Sequence, residues 1–236
     1  MKALILAAGL GSRLRPLTDS VPKCMVKVNG ISIIDNQIES LKENNIKDIY
    51  IITGYKNEAL EAHLKEKFSE LNIHIIFNKD FNTTNNMFSL FMAKDYLNSE
   101  PFIMMNSDVF FEKRVIGDLI NNEYSSLIVC EKDNYNEESM KIIVKGEIAT
   151  EISKQITEEE SYGTSIDVYK FGSIESKKLF EIVNDYLVVK KDINSWSEVA
   201  INDLLKVTKF KSLDTTCKWM EIDNLYDLEQ AEKIFK

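Results

Sequence analysis

The residues best equipped for chemistry stand together near the start of the chain, in GLGSRLRPLTDSVPK, Gly9 to Lys23, directly after the apolar run Ala3 to Ala8. Glycine has no Cβ, so backbone N–H groups from Gly9 to Ser12 can approach phosphate oxygens closely. Arg13 and Lys23 can add charge-assisted contacts from either side. Lys23 is a compact point charge, suited to an α-phosphate on which negative charge builds in a transition state. Spacing excludes two common phosphate loops. A dinucleotide fingerprint needs a third glycine where Leu14 stands, and a Walker loop needs lysine directly after its last glycine, a run absent here. What remains is a longer loop, stiffened by Pro16 and Pro22, that can wrap a triphosphate.

Other candidates are scattered. Asp108, in the polar NSD that ends the apolar run Pro101 to Met105, sits where an acid at the C-terminal end of a central strand faces a ligand. His63 and His74 lie in an amphipathic helix pattern and a strand pattern, which gives both structural or surface roles and demotes histidine acid–base catalysis. Cys24, Cys130 and Cys217 are odd in number and lack zinc spacing, consistent with reduced thiols in a cytoplasmic protein. The acidic run Thr157 to Glu160 reads as a solvated loop or strand edge.

The elements that must position these residues follow from periodicity. Strand patterns at 3–8, 48–53, 73–77 and 101–105 alternate with helical spacing over 33–41, 59–68 and 88–97. After residue 120 β signals dominate at 125–131, 141–144 and 165–171, and helices return over 174–189 and 196–205. A strand at 218–222 and a helix over 225–235 close the chain. The pattern predicts a Rossmann-like α/β fold, a mixed, mostly parallel sheet flanked by helices, with some antiparallel strands added after residue 120. Its 236 residues fit one domain, 1–236, with a nucleotide-binding half to about residue 120 and an acceptor-binding half over 121–236. A net charge of −9 without any Lys/Arg-rich block argues against polymeric nucleic acid and anionic membranes as partners, and no run is long enough to span a bilayer.

The run LAAGLGSRLRPLTDSVPK, Leu6 to Lys23, resembles the motif LAAGxGxRxxPLTxxxPK of the nucleotidyltransferases that make nucleoside-diphosphate-activated sugars, cholines and related compounds. The following VKVNGISIIDNQIESLKENNIKDIYIITGY is similar to that family's next strand, helix and strand, ending at Gly54-Tyr55. The resemblance implies the nucleotide-diphospho-sugar transferase type of fold. It also implies Arg13 and Lys23 as catalytic charges, and nucleotide contacts from Leu6, Ala8, Gly9, Gly11, Ser12 and Gly54. Asp108 falls where the family places a metal-binding aspartate, and Asp223 matches a second one in the ending WxEIDxxxDLxxA, here WMEIDNLYDLEQA. Two such carboxylates suit Mg²⁺ bound to a nucleotide. Asp223 has a competing role as a helix cap, though Asn224 and Asp227 have the spacing to take it instead.

The donor and acceptor are less directly written. TNNMFSL resembles bacterial phosphocholine-type cytidylyltransferases, in which paired asparagines precede a helix. Asn85 and Asn86 could read a pyrimidine edge or order the loop through side-chain turns. The resemblance favours CTP, with UTP and dTTP behind it. It also places acceptor contacts at Tyr162 beside Gly163, and at Trp196 and Glu198, an aromatic and acidic set suited to a cationic headgroup. Trp196 could equally pack a helix start, and Trp219 reads as core. The expected reaction is CMP transfer from CTP to a small phosphorylated or phosphonate acceptor, with pyrophosphate leaving. The alternatives are a sugar-1-phosphate nucleotidyltransferase using UTP, dTTP or CTP, and a non-catalytic nucleotide-binding regulator; a homo-oligomer is compatible with either.

Overall fold

Strand β1 (Lys2–Ala7) sends Ala3, Ile5 and Ala7 into one buried layer and Leu4 and Leu6 into another. Both of its faces are covered, so the run carries no polar residue after Lys2. The computed structural model describes residues 1–236. After β1 come a two-stranded hairpin, β2 (Lys27–Val28) and β3 (Ile31–Ser32), then α1 (Ile33–Glu43), β4 (Asp48–Thr53), α2 (Asn57–Lys67) and β5 (Asn72–Phe77). Helices α3 (Asn86–Met92) and α4 (Lys94–Leu97) lead into β6 (Phe102–Asn106), β7 (Val109–Phe111) and α5 (Arg114–Asn121). The remainder adds β8 (Leu127–Lys132), β9 (Lys141–Lys145), β10 (Ile148–Ser153), β11 (Gly163–Phe171), α6 (Ser173–Asn184) and α7 (Ser197–Leu205). The chain closes with β12 (Phe210–Asp214), β13 (Trp219–Glu221) and α8 (Leu225–Ile234).

Nine strands form one mixed sheet in the order β5-β4-β1-β6-β11-β8-β12-β10-β9. Pairing is parallel from β5 to β6 and between β8 and β12, and antiparallel elsewhere. Five of the nine strands come after residue 120, so antiparallel pairing is as frequent along the sheet as parallel pairing. Short links explain this: β9 and β10 are joined by Gly146 and Glu147 alone, and a connection that short permits only a hairpin.

Helices α1, α2 and α5 cover one face through Ile34, Ile38, Leu60, Leu64 and Ile116, while α3, α6 and α7 cover the other through Leu90, Phe180 and Ile201. Each fully buried side chain of this kind contributes roughly 1.5–3 kcal/mol. No helix is long and apolar enough to cross a membrane.

Chain direction sets the position of the site. From β1 the chain moves outward to β4 and β5, then returns to place β6 on the other side of β1. That reversal opens a crevice beyond the C-terminal ends of β1 and β6, where ligands bind in open α/β sheets. The glycine loop leaves β1 there, and Asp108 follows β6 there.

Candidate active site

Beyond those strand ends lies a cavity of about 470 Å³, lined in part by the chain from Leu6 to Arg13 and by Lys23. Leu14 anchors the loop, fully buried against Val26, Val28 and Ile33. The Thr18 hydroxyl donates to the Gly11 carbonyl at 2.8 Å and closes the turn. Gly11 has a left-handed φ of 60°, and a Cβ there would meet Lys23 Cβ at 2.8 Å, so the lysine stem lies directly against the glycine. At Gly9 an added Cβ would meet nothing within 4 Å, which leaves this part of the wall open to a ligand.

Three carboxylates converge on the lysine. Antiparallel pairing of β7 with β13 sets Val109 opposite Glu221, and Ile222 N donates to Asp108 O at 2.9 Å. This ladder joins Asp108 to Glu221 and Asp223 from the far end of the chain, with carboxylate oxygens of the three within 4.8 Å of one another. Lys23 Nζ donates to Asp108 Oδ2 at 2.8 Å and to Asp223 Oδ1 at 2.6 Å, and Arg13 reaches Asp223 Oδ2 at 2.8 Å. Asn224 and Asp227 form the capping box of α8, so the Asp223 carboxylate is left for this cluster. Burial opposes the charge on Lys23, but the two aspartates outweigh it and raise its pKa above the ordinary lysine value. Burial likewise opposes ionisation of Asp223, and Lys23 and Arg13 reverse that and hold it below the usual carboxylate range. Glu221 is pushed well up by burial and by the charges of Asp108, Asp167 and Asp223.

Asp108 Oδ1 is buried and has no hydrogen-bond partner. An orphaned carboxylate oxygen amid three acids is a donor set that fits a hard divalent cation, with Asp108 and Asp223 as ligands and Glu221 beside them.

The opposite end of the cavity is built by α3, α7 and a distortion in β11. The register of β11 against β8 shifts between Ser165 and Tyr169, and Asp167 takes a left-handed φ of 56° inside that irregularity. Bulges re-aim side chains, and here Asp167 joins the cavity wall. Asn106 Nδ2 donates both to Asp167 Oδ2 at 3.1 Å and to Glu198 Oε1 at 3.3 Å, and Tyr169 OH donates to Asp167 Oδ1 at 2.8 Å. Burial and the charge of Glu198 push Asp167 up to about 7. Burial also raises Glu198, against the hydrogen bonds that favour its charge. Lys154 joins this end, its Nζ 5.1 Å from the centre of the Trp196 ring and without an ion-pair partner.

The structure gathers Leu6, Ala8, Gly9, Gly11, Ser12, Arg13, Lys23, Asn85, Asn86, Asp108, Trp196, Glu198 and Asp223 around one cavity. Two expectations need correction, those for Tyr162 and Gly54. Tyr162 is not part of the wall: its hydroxyl donates to Asp214 Oδ2 at 2.6 Å across to β12, which turns the ring away. Gly54 lies behind the wall, where a Cβ would meet the Ala8 carbonyl at 2.5 Å and Phe81 Cβ at 2.7 Å; it admits the loop rather than touching a ligand. Asn85 and Asn86 line the cavity, and their amides also order the loop, the second of the two roles open to them. Asn85 caps α3 through Asn86 N and donates to Asn194 O, while Asn86 accepts from Ser197 N at 2.8 Å and donates to Glu198 at 3.4 Å. Trp219, expected in the core, is half-buried and packs against the buried layer that holds Ala3 and Ile5, with Nε1 donating to Glu131 Oε2 at 2.8 Å.

Asp167, Lys154, Asn106 and Glu221 were not identified from sequence. The available signal was an acid between apolar neighbours, Ile166 and Val168 around Asp167 and Met220 and Ile222 around Glu221. Lys154 follows β10 and carried no signal.

The nucleotidyl transferase family model matches residues 2–164. The CTP:phosphoglutamine cytidylyltransferase of Campylobacter jejuni is 30% identical, over 99% of this chain and 100% of that protein. The choline-phosphate cytidylyltransferase of Streptococcus pneumoniae is 41% identical over 127 residues, 54% of this chain, and the match spans about half of that relative, 53%. The solved structure of CTP:phosphocholine cytidylyltransferase from Streptococcus pneumoniae superposes with a TM-score of 0.79 at 28% identity, covering 100% of this chain and 99% of that one. The inositol-1-phosphate CTP transferase of T. maritima shares the fold, with a TM-score of 0.80 at 19% identity over 100% and 96% of the two chains. With the loop, the converging carboxylates and the crevice in place, the chain belongs to the nucleotidyl transferase family.

Proposed function

We propose that this protein transfers CMP from CTP to a small phosphorylated acceptor and releases pyrophosphate. The observation that carries the reading is the placement of Lys23 and Arg13 against Asp108 and Asp223, on one wall of a cavity whose other end presents Asp167 and Glu198. In this reading the triphosphate lies along Gly9 to Arg13, with backbone N–H groups and Arg13 toward its oxygens. An acceptor phosphate oxygen attacks the α-phosphorus in line. The new P–O bond forms as the bond to the β-phosphate oxygen breaks, and pyrophosphate leaves with that electron pair. The acceptor is already an anion, so neither a histidine base nor a covalent enzyme intermediate is required.

Lys23 neutralises charge on the α-phosphoryl oxygens, and its aspartate partners hold its ammonium in place. Asp108 and Asp223 would hold Mg²⁺, which supplies further neutralisation of the phosphates when bound. The cytosine preference rests on the relatives; Asn85 and Asn86 line the cavity, and their amides also order the loop.

The test is pyrophosphate release from CTP, UTP, dTTP, ATP and GTP, each with phosphocholine, phosphoglutamine, phosphoethanolamine and sugar 1-phosphates. CTP with a non-sugar acceptor should be fastest, chelation of magnesium should stop turnover, and Asp108→Asn and Asp223→Asn should each raise the magnesium needed. Faster turnover of UTP or dTTP with a sugar 1-phosphate would assign the sugar-nucleotide reaction instead. Nucleotide binding without pyrophosphate release from any pair would point to a regulator.

A further inference from the structure

The acceptor end of the cavity carries charges of both signs. Asp167 and Glu198 are buried, and their oxygens accept hydrogen bonds from neutral groups, Tyr169, Asn106 and Asn86 among them, with no cationic partner. The same wall presents Lys154, half-buried and without an ion pair. Two carboxylates linked through the single amide of Asn106 lack a cation, and one ammonium lacks an anion. Burial pushes both acids upward, and the charge of Glu198 adds to the rise at Asp167, as expected of a pair awaiting positive charge.

A quaternary ammonium fits this end poorly. It has no N–H to offer the carboxylate lone pairs and depends on open aromatic faces. The aromatic residues of the wall are Phe81 and Trp196; Phe81 packs against Gly54 behind the glycine loop, and Lys154 already lies over the Trp196 ring. A primary ammonium supplies three donors to the two acids. A carboxylate on the same molecule would meet Lys154.

Resting on the cytidylyl-transfer reading, we propose that the acceptor is a phosphorylated zwitterion of the amino-acid class, its ammonium bound by Asp167 and Glu198 and its carboxylate by Lys154. Lys154 is then the residue that separates phosphorylated amino acids from phosphorylated amines.

The experiment compares O-phosphoserine and phosphoglutamine, which carry the carboxylate, with phosphoethanolamine and phosphocholine, which lack it. The wild-type protein should show kcat/KM at least about tenfold higher for the better of the first pair, in line with one charge-assisted contact. Lys154→Met should lower kcat/KM for the carboxylate-bearing acceptors at least about tenfold more than for phosphoethanolamine, and Lys154→Arg should restore most of the difference. Preference for phosphocholine or phosphoethanolamine would overturn the proposal. So would equal losses for all acceptors in Lys154→Met, because the lysine would then serve the phosphate common to them. Calorimetric binding of the same acceptors needs no turnover and keeps the two readings apart. Lys154-dependent binding of phosphoserine or phosphoglutamine without pyrophosphate release sinks the reaction and keeps the site, whereas absence of binding by both sinks the site.

Discussion

Replacing Lys23 by alanine separates the two tasks its ammonium performs. In the fold it bridges Asp108 and Asp223 at 2.8 and 2.6 Å, with the lysine side chain 13% exposed and the acids 24% and 25%. Breaking a fully buried pair costs roughly 3–5 kcal/mol. These acids retain a quarter of their exposure, so water recovers part of that and the expected loss is about 2 kcal/mol. For a chain of this size the melting temperature should fall by roughly 4–8 °C. In catalysis the same change removes a preorganised charge from the α-phosphoryl group, worth about 2.7–4 kcal/mol, or about a hundredfold to a thousandfold in kcat. The two losses should respond differently to magnesium. Without the ammonium, Asp108, Glu221 and Asp223 face one another with only Arg13, on Asp223, left to offset them, so a divalent cation should restore much of the melting temperature while turnover stays low. Scanning fluorimetry with and without magnesium, beside pyrophosphate-release kinetics, measures both. Near-wild-type turnover, or a melting temperature indifferent to both the substitution and the metal, would refute the reasoning.

Gly54→Ala should displace the loop at Ala8–Gly9, because its Cβ would sit 2.5 Å from the Ala8 carbonyl and 2.7 Å from Phe81 Cβ, and neither can swing aside. A stability loss of about 1–3 kcal/mol and a higher KM for nucleotide are expected; unchanged values of both would show that the loop tolerates the displacement. Asp167, pushed up to about 7, keeps its proton in the fold over a range where the unfolded chain has lost it. The native state therefore binds more protons there, and this group's contribution to stability declines as pH rises from about 4 to about 7. Asp167→Asn keeps a side chain tolerant of left-handed backbone and abolishes that decline, so the variant's melting temperature should gain on wild type as pH rises. Parallel melting profiles from about pH 5 to about pH 8 would refute the assignment.

The legible part of the site was the part whose chemistry is local in sequence. Gly9, Gly11, Arg13 and Lys23 fall within one loop, and a loop leaving a buried strand has few places to go. The strand at 48–53 was delimited as the structure has it, because its apolar run ends at Gly54. Asp108 and Asp223 were legible through motif resemblance, but their meeting depends on the β7–β13 ladder, and the three residues of β7 are too short a run for periodicity to mark as a strand. Tyr162 was misplaced because a position just before β11 does not fix which side its ring takes; Asp214 on β12 decides that.

The sequence by itself determined the alternation of strands and helices, the phosphate-wrapping loop and the two charges it carries, since backbone freedom and periodicity are properties of neighbouring residues. Tertiary structure decided which distant groups share a cavity. Asp167 reaches it through a bulge in β11, Glu198 through the start of α7, and Lys154 through the end of β10. Register shifts and cross-strand pairing set those meetings, and both depend on partners remote in the chain.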